Sequence, residues 1–285
     1  MLWRPGDADA IVHGDNLEVA ALLPDGAFRL IYLDPPFNTG KTQRRQRMTV
    51  TRADAGRTGF AGRTYATEAG AVSRYDDRFD DYWGFLEPRL REAHRLLDET
   101  GTLYLHLDYR EAHYAKVALD GMFGRECFLN EIIWAYDYGG RSNRRWPAKH
   151  DTILVYVKDP ERYWFDSAAV DREPYMAPGL VTPEKRERGK LPTDVWWHTI
   201  VPTNGRERTG YATQKPEGVL RRIVQASSAP GDAVLDLFAG SGTTGAVAAA
   251  LDRRFVLVDS SADAVAVMRA RLPGIRVLEA GGSAA

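Results

Sequence analysis

Cysteine is nearly absent from this chain, with Cys127 alone among 285 residues. One thiol excludes an internal disulfide framework and any clustered thiolate zinc site. The six histidines show no His-x-x-x-His spacing with a nearby Glu, so no metal is expected. Long apolar runs are missing too. No stretch of eighteen apolar residues occurs, and the start MLWRPGDADA lacks the basic-then-apolar order of a signal peptide. A cytoplasmic protein with no membrane partner is expected. There is also no excess charge of either sign: 38 Lys and Arg stand against 39 Asp and Glu, and the net of -1 gives the whole chain no basic signature.

What is present is a globular composition, 44% hydrophobic and 27% charged. A chain of this size can bury roughly 75% of its unfolded surface. The neutral total conceals two basic patches. Lys41, Arg44, Arg45, Arg47, Arg52, Arg57 and Arg63 face only Asp54 in their stretch, and Arg141, Arg144, Arg145 and Lys149 surround Trp146.

The run Ala27–Asp34 is short and apolar and ends at prolines, as a buried parallel strand would. Residues 39–75, rich in Gly, Thr, Ala and Arg, show no apolar period and read as a mobile basic loop. After it, Asp81–Glu99 reads as a helix and LYLHL as a strand. Tyr109–Phe123 reads as a helix, and Cys127–Tyr136 and His150–Lys158 as strands. This alternation predicts an α/β fold with mainly parallel strands. Residues 160–210 lose the rhythm and suggest a small inserted module, in which Trp196 and Trp197 are expected to pack in its core. The rhythm returns over 211–280 as a βαβαβ unit, and 281–285 (GGSAA) read as a disordered tail.

Within that unit, strand VLDLF runs into Ala239-Gly240-Ser241-Gly242-Thr243-Thr244-Gly245, a G-x-G-x-x-G between strand and helix, and Asp259 closes the next strand. Glycines there let a ligand approach backbone N–H groups at a helix N-terminus, where an anion is favoured. A carboxylate ending the second strand can accept from ribose hydroxyls. A dinucleotide or S-adenosylmethionine fits equally, the methionine carboxylate of the latter taking the place of the pyrophosphate.

Asp34-Pro35-Pro36-Phe37 ends the first strand. A D-P-P-F/Y tetrapeptide is expected by chance once in ~400 chains of this length. Its chemistry suits the exocyclic amino group of a nucleobase, a poor nucleophile because its lone pair is delocalised into the ring. Asp34 and the Pro35 carbonyl can accept both amino hydrogens and favour a pyramidal nitrogen, with the prolines fixing the carbonyl. Phe37 can stack on a base rotated out of the duplex.

The two motifs together resemble the beta class of DNA amino-methyltransferases, the N4-cytosine/N6-adenine family of type II and III modification methylases. In that family the D/S-P-P-Y/F motif precedes F-x-G-S/T-G, as Asp34–Phe37 here precede Phe238–Gly242. Further matching stretches are HGDN (13–16), DPPFNTGK (34–41), LLDETGTLYLHLD (96–108), FGRECFLNEIIW (123–134), KHDTILVYVK (149–158), QKPEGVLRRIV (214–224) and RRFVLVDSS (253–261).

The resemblance implies a Rossmann-like S-adenosylmethionine-dependent methyltransferase fold. Its sheet would be mostly parallel and seven-stranded, with helices on both faces and a circularly permuted motif order. Residues 1–159 would form the catalytic half, 160–210 an inserted target-recognition module, and 211–280 the cofactor-binding half of the same domain. Asp34, Pro35, Pro36 and Phe37 would form the amino-group site. Asp15, Asp236, Phe238, Ala239, Gly240, Ser241, Gly242, Thr243, Thr244, Asp259 and Lys215 would surround S-adenosylmethionine, with Asp15 at its adenine and Lys215 at its carboxylate. Lys215 also reads as a solvated lysine before a helix-starting proline. Lys41, Arg44, Arg45, Arg47, Arg141, Arg144, Arg145 and Lys149 are candidates for phosphate contact in double-stranded DNA. The family association also allows nucleoid location, a homodimer and a cognate restriction enzyme.

The implied activity is methyl transfer to a flipped-out base in duplex DNA, to adenine N6 or to cytosine N4; Asp rather than Ser in the first motif position leans toward adenine. A ring-carbon methyltransferase needs a cysteine nucleophile, normally after proline. Cys127 follows Glu126 and opens an apolar strand, where a small buried side chain is the simpler reading. A nicotinamide dehydrogenase would leave Asp34–Phe37 unexplained, and a non-catalytic DNA-binding subunit would have no need of them.

Overall fold

A computed structural model describes residues 1–58, 64–77, 79–202 and 204–280, those from 41 to 76 by their backbone alone. In chain order the elements are β1 (Ala10–His13), α1 (Asn16–Ala21), β2 (Phe28–Leu33), β3 (Lys41–Thr58), β4 (Thr64–Asp77), α2 (Tyr82–Leu96), β5 (Leu97–Leu107), α3 (Ala112–Phe123), β6 (Phe128–Ala135), β7 (His150–Val157), α4 (Pro183–Arg188), β8 (Val195–Trp197), α5 (Glu217–Ser227), β9 (Ala233–Asp236), α6 (Thr243–Ala250), β10 (Arg254–Asp259), α7 (Ala262–Arg271) and β11 (Arg276–Glu279). They fall into two compact units, Asn38–Asp80 and the remainder.

The larger unit is built on one sheet in the order β11-β1-β10-β9-β2-β5-β7-β6-β8. Parallel pairing runs from β11 to β5, whereas β7 lies antiparallel to both β5 and β6, and β8 joins β6 in parallel. Among the described residues the sheet therefore has nine strands rather than the expected seven. The expected βαβαβ tail is also not contiguous: β9 and β10 are neighbours, but β1 from the N-terminus separates β10 from β11. Periodicity identifies strands but does not order them, and β1 is only four residues long.

Burial explains the strand sequences. Phe28, Leu30, Ile31, Tyr32 and Leu33 are all buried, as a strand covered on both faces requires. β2 stops where Pro35 and Pro36 supply no N–H to continue a ladder. On one face Ile11, Leu30, Val234 and Phe255 pack with Val219, Leu220 and Ile223 of α5 and with Val247 and Ala248 of α6. The α1 terminus is capped by Asp15, which accepts from Leu17 N at 2.9 Å and Glu18 N at 3.3 Å.

The expected module at 160–210 supplies the edge strand β8. Trp196 is buried there and donates its Nε1–H to Thr193 O at 2.7 Å, but Trp197 is 78% exposed, so only the first packs as expected. Cys127 is buried, as expected.

The smaller unit corrects the reading of 39–75 as a loop: β3 and β4 form an antiparallel pair, in register from Lys41↔Asp77 to Thr58↔Thr64 with two register shifts. A two-stranded ribbon is held by backbone pairing and needs no buried face, so it leaves no apolar alternation to read. At its base the Asp77 carboxylate accepts from Asn38 N at 2.8 Å and Thr39 N at 3.1 Å. The side chains of Lys41, Arg44, Arg45 and Arg47 lie outside the described residues, as does the tail 281–285. Among the described residues no helix is long and apolar enough to cross a membrane.

Candidate active site

β2 and β9 are adjacent parallel strands, paired Leu30↔Val234, Ile31↔Leu235 and Tyr32↔Asp236. The turns that follow them, Asp34–Phe37 and Phe238–Gly242, therefore leave the sheet side by side at its carboxyl ends. From β9 the sheet continues to β10 on one side, and from β2 to β5 on the other. That is a topological switch point, the place where open α/β sheets bind ligands.

In the first turn, Asp34 Oδ2 forms an ion pair with Lys215 Nζ. Asp34 Oδ1 is buried and accepts no hydrogen bond. His106 Nδ1 stands 3.8 Å from it and is already hydrogen-bonded to the Tyr32 hydroxyl at 2.7 Å. Tyr82 braces the turn from α2, donating its hydroxyl to Pro36 O at 2.7 Å. The Phe37 ring lies 5.7 Å from His106 and has the Lys215 ammonium 5.2 Å from its centroid.

A buried polar network continues behind the turn. His106 is fully buried, with Nε2 3.2 Å from Asp151 Oδ2, and Tyr136 donates its hydroxyl to Asp151 Oδ1 at 2.8 Å. Burial is the largest influence on Asp151 and pushes its carboxyl up. His106, Lys215 and Tyr136 together outweigh it and hold the group below the usual carboxylate range. Burial also raises the Tyr32 phenol well above its ordinary value.

The second turn is held by its own acids. Asp259 Oδ2 accepts from Gly240 N and Oδ1 from Ser261 N, both at 2.8 Å. Asp236 Oδ1 accepts from Phe238 N at 2.9 Å and Oδ2 from the Thr244 hydroxyl at 2.5 Å. Burial raises Asp259 and pushes Asp236 up to about 7. Gly240 and Gly242 have φ of +50° and +71°, the left-handed region. A Cβ at Gly240 would stand 3.1 Å from the Tyr211 ring, and one at Gly245 2.5 Å from Leu257 Cδ1. The three glycines thus serve the turn, the close approach and the helix–strand packing. Ser241, Thr243 and Thr244 are buried, and the Thr243 hydroxyl donates to Lys215 O at 3.1 Å.

The structure brings together most of the residues singled out from sequence. Phe238 meets Phe85 of α2 at 6.0 Å between rings, and the Arg89 guanidinium lies 4.1 Å over Phe85 while bonding Asp15 Oδ2 at 3.0 Å. Lys215 is at the junction of the turns, but its ammonium engages Asp34. Asp236 and Thr244 spend their side chains on bracing the glycine turn. Arg141, Arg144 and Arg145 are exposed in the connection between β6 and β7, next to Trp146 at 94% exposure, and Lys149 donates to Gly139 O at 3.1 Å. Sequence reading missed Tyr82, Arg89, His106, Asp151 and Tyr211 as members of the site. His106 lies in LHLD, and only its being a polar residue within an apolar strand hinted at it. Among the described residues no cluster of His, Cys, Asp and Glu is built to hold a metal ion.

An α/β sheet with a glycine turn beside an Asp-Pro-Pro-Phe turn defines an amino-methyltransferase type of site. A family model described as DNA methylase, of the N6/N4 methyltransferases, matches residues 28–269. The DNA adenine methyltransferase YhdJ of Escherichia coli K12 is 30% identical over 274 residues, covering 93% of this chain and 83% of the relative. Two solved structures share the fold. A putative DNA modification methylase from Thermus thermophilus, complexed with S-adenosyl-L-methionine, has a TM-score of 0.61 at 20% identity, covering 97% of this chain and 100% of its own. The cytosine-N4-specific PvuII DNA methyltransferase has 0.62 at 14%, covering 97% and 92%. The chain belongs to the N6/N4 DNA methylase family: it is a DNA methyltransferase, and the methyl donor of its class is S-adenosylmethionine.

Proposed function

We propose that the chain methylates the N6 amino group of an adenine flipped out of duplex DNA. The observation that carries this reading is Asp34 Oδ1, a buried acceptor without a donor, in the turn beside the glycine turn. A buried carboxylate oxygen without a partner is costly, and an amino hydrogen of the target base would satisfy it. The Pro35 carbonyl would accept the second amino hydrogen, leaving the nitrogen lone pair localised and directed. Phe37 would stack on the extruded base. Asp rather than Ser at position 34, and the likeness to an adenine methyltransferase, support adenine over cytosine.

The glycine turn fits the donor. A Cβ at Gly240 would stand 3.1 Å from the Tyr211 ring, so glycine keeps the backbone approach there open, whereas Gly242 is packed against Met268 and Leu257 and serves the shape of the turn. Phe238, Ala239, Gly240 and Gly242 would line the donor, with Asp259 toward the ribose and Asp15, whose side chain is half exposed, toward the adenine. When bound, S-adenosylmethionine supplies an electrophilic methyl group on a sulfonium. Asp34 Oδ1 would then be placed to take the proton that the amino nitrogen gives up.

The test is transfer of labelled methyl from S-adenosylmethionine into duplex DNA, followed by identification of the modified base by mass. N6-methyladenine is the expected product; N4-methylcytosine would overturn the choice of base, and transfer confined to RNA or protein would overturn the substrate. Arg141, Arg144, Arg145 and Lys149, and the basic stretch from Lys41, would contact phosphates, with residues 160–210 supplying target recognition. Neutralising Arg141, Arg144 and Arg145 together should lower the salt slope of DNA binding by about 0.9 per lost phosphate contact. An unchanged slope would return that loop to solvent.

A further inference from the structure

The ion pair between Lys215 and Asp34 closes only one side of the carboxylate. A carboxylate can turn about its last torsion and present either oxygen, because that torsion is broad and roughly two-fold. Here the two oxygens are not equivalent: Oδ2 is held by an ammonium in a charge-assisted contact, and Oδ1 is buried and open. His106 does not compete for Oδ1, since its near nitrogen is engaged by Tyr32.

Lys215 is itself fixed from several directions. Its carbonyl accepts the Thr243 hydroxyl, and that hydroxyl oxygen accepts from the Arg271 guanidinium at 3.0 Å. The preceding Gln214 is clamped, donating to Glu207 O at 2.6 Å and accepting from Thr209 N at 2.8 Å. The Lys215 ammonium is set against the Phe37 ring. The two side chains of the pair are only 12% and 14% exposed, so solvent screens them weakly. An anchored cation that pins one oxygen of the acceptor and touches the aromatic of the same turn is placed to set the acceptor's orientation.

We propose that Lys215 is a positioning residue for methyl transfer: by holding Asp34 Oδ2 it aims Oδ1 at the target amino group. This differs from the contact with the cofactor carboxylate that the Gln-Lys-Pro stretch suggests, and it rests on the reading of Asp34 as the amino-group acceptor.

The experiment measures single-turnover methyl transfer to duplex DNA by the full chain and by Lys215→Met, with cofactor affinity measured by titration. Native activity tests the underlying function; the ratio of variant to native tests the inference, so the two can fail separately. Loss of orientation should lower the rate at saturating cofactor and DNA by on the order of 10²-fold, while cofactor affinity stays within about threefold. To separate this from a folding defect, Lys215→Cys on a Cys127→Ser background is alkylated with 2-bromoethylamine, which restores an ammonium at nearly the lysine length. Rescue of the rate by alkylation supports the assignment. A Lys215→Met variant as fast as the native chain overturns it, as does one that loses cofactor affinity but keeps its rate at saturation. Equal, low rates before and after alkylation overturn it too.

Discussion

The two turns at the carboxyl ends of β2 and β9 solve opposite problems. The first is stiffened by prolines at 35 and 36 and leaves one oxygen of Asp34 without a donor. The second is loosened by glycines at 240 and 242, yet both oxygens of Asp236 and of Asp259 accept from the protein. Buried polar groups are normally satisfied, so the open oxygen of Asp34 costs stability that an incoming donor would return. In the glycine turn the acids serve the loop's own shape, accepting from the backbone of the turn and from Thr244. One turn offers an open acceptor and the other is a glycine turn that opens a helix, and neighbouring strands bring the two together.

Substitutions should separate these roles, and the largest effect belongs to the first turn. Asp34→Ala should lower methyl transfer by at least on the order of 10²- to 10³-fold, while leaving S-adenosylmethionine affinity nearly unchanged, because the glycine turn makes no use of Asp34. Single-turnover rates and cofactor titration check this. A near-native rate would remove the distinction between the turns.

The second turn should respond in stability first. In Gly245→Ala the new Cβ would meet Leu257 Cδ1 at 2.5 Å and Leu272 Cδ1 at 3.2 Å, in the packed seam between α6 and β10. Overpacking costs about 1–3 kcal/mol, offset by about 1 kcal/mol of helix propensity, for a net loss on denaturant melts. The rate at saturating cofactor should hold. If the rate collapses while stability does not change, the third glycine serves the reaction rather than the packing.

These contrasts were unequally legible in the sequence. Asp34–Phe37 and Gly240–Gly245 announce themselves, since few other residue types tolerate such turns, and apolar runs located most strands. The partners could not be read. Tyr82 reaches Pro36, Arg89 reaches Asp15, and His106 reaches Asp151 across separate elements, so no local spacing records them. Sheet order was hidden from local pattern for the same reason: nothing in VLDLF itself says that FRLIYL lies beside it, and only the family resemblance implies that the strands ending at Asp34 and Phe238 are neighbours, as β2 and β9 are. The strand pair β3–β4 escaped because a two-stranded ribbon imposes no hydrophobic period on its residues.

The smallest effect comes from the acid beneath the glycine turn and concerns pH. Burial pushes Asp236 from an ordinary carboxyl value of 3.8 up to about 7, so the folded protein keeps a proton that the unfolded chain has already released. The sign follows from linkage. This contribution to stability is fully present below about pH 4 and is lost as pH rises toward 7, at a rate of no more than about 1.4 kcal/mol per pH unit. Above that range the buried carboxylate is charged, and the hydrogen bonds from Phe238 N and Thr244 only partly offset the cost. Asp236→Asn keeps the shape and both acceptor and donor capacity, and it cannot ionise. Melts of the two proteins between pH 5 and 8 should therefore converge toward the acid end, with the native chain falling behind the Asn variant as pH rises. Asp34 adds to the rise of Asp236 less than burial does, so Asp34→Ala should leave most of the Asp236 slope standing and move it slightly toward lower pH. Parallel curves for native and Asp236→Asn would show that Asp236 is ionised throughout, which would make the glycine turn a place where the fold retains a buried charge.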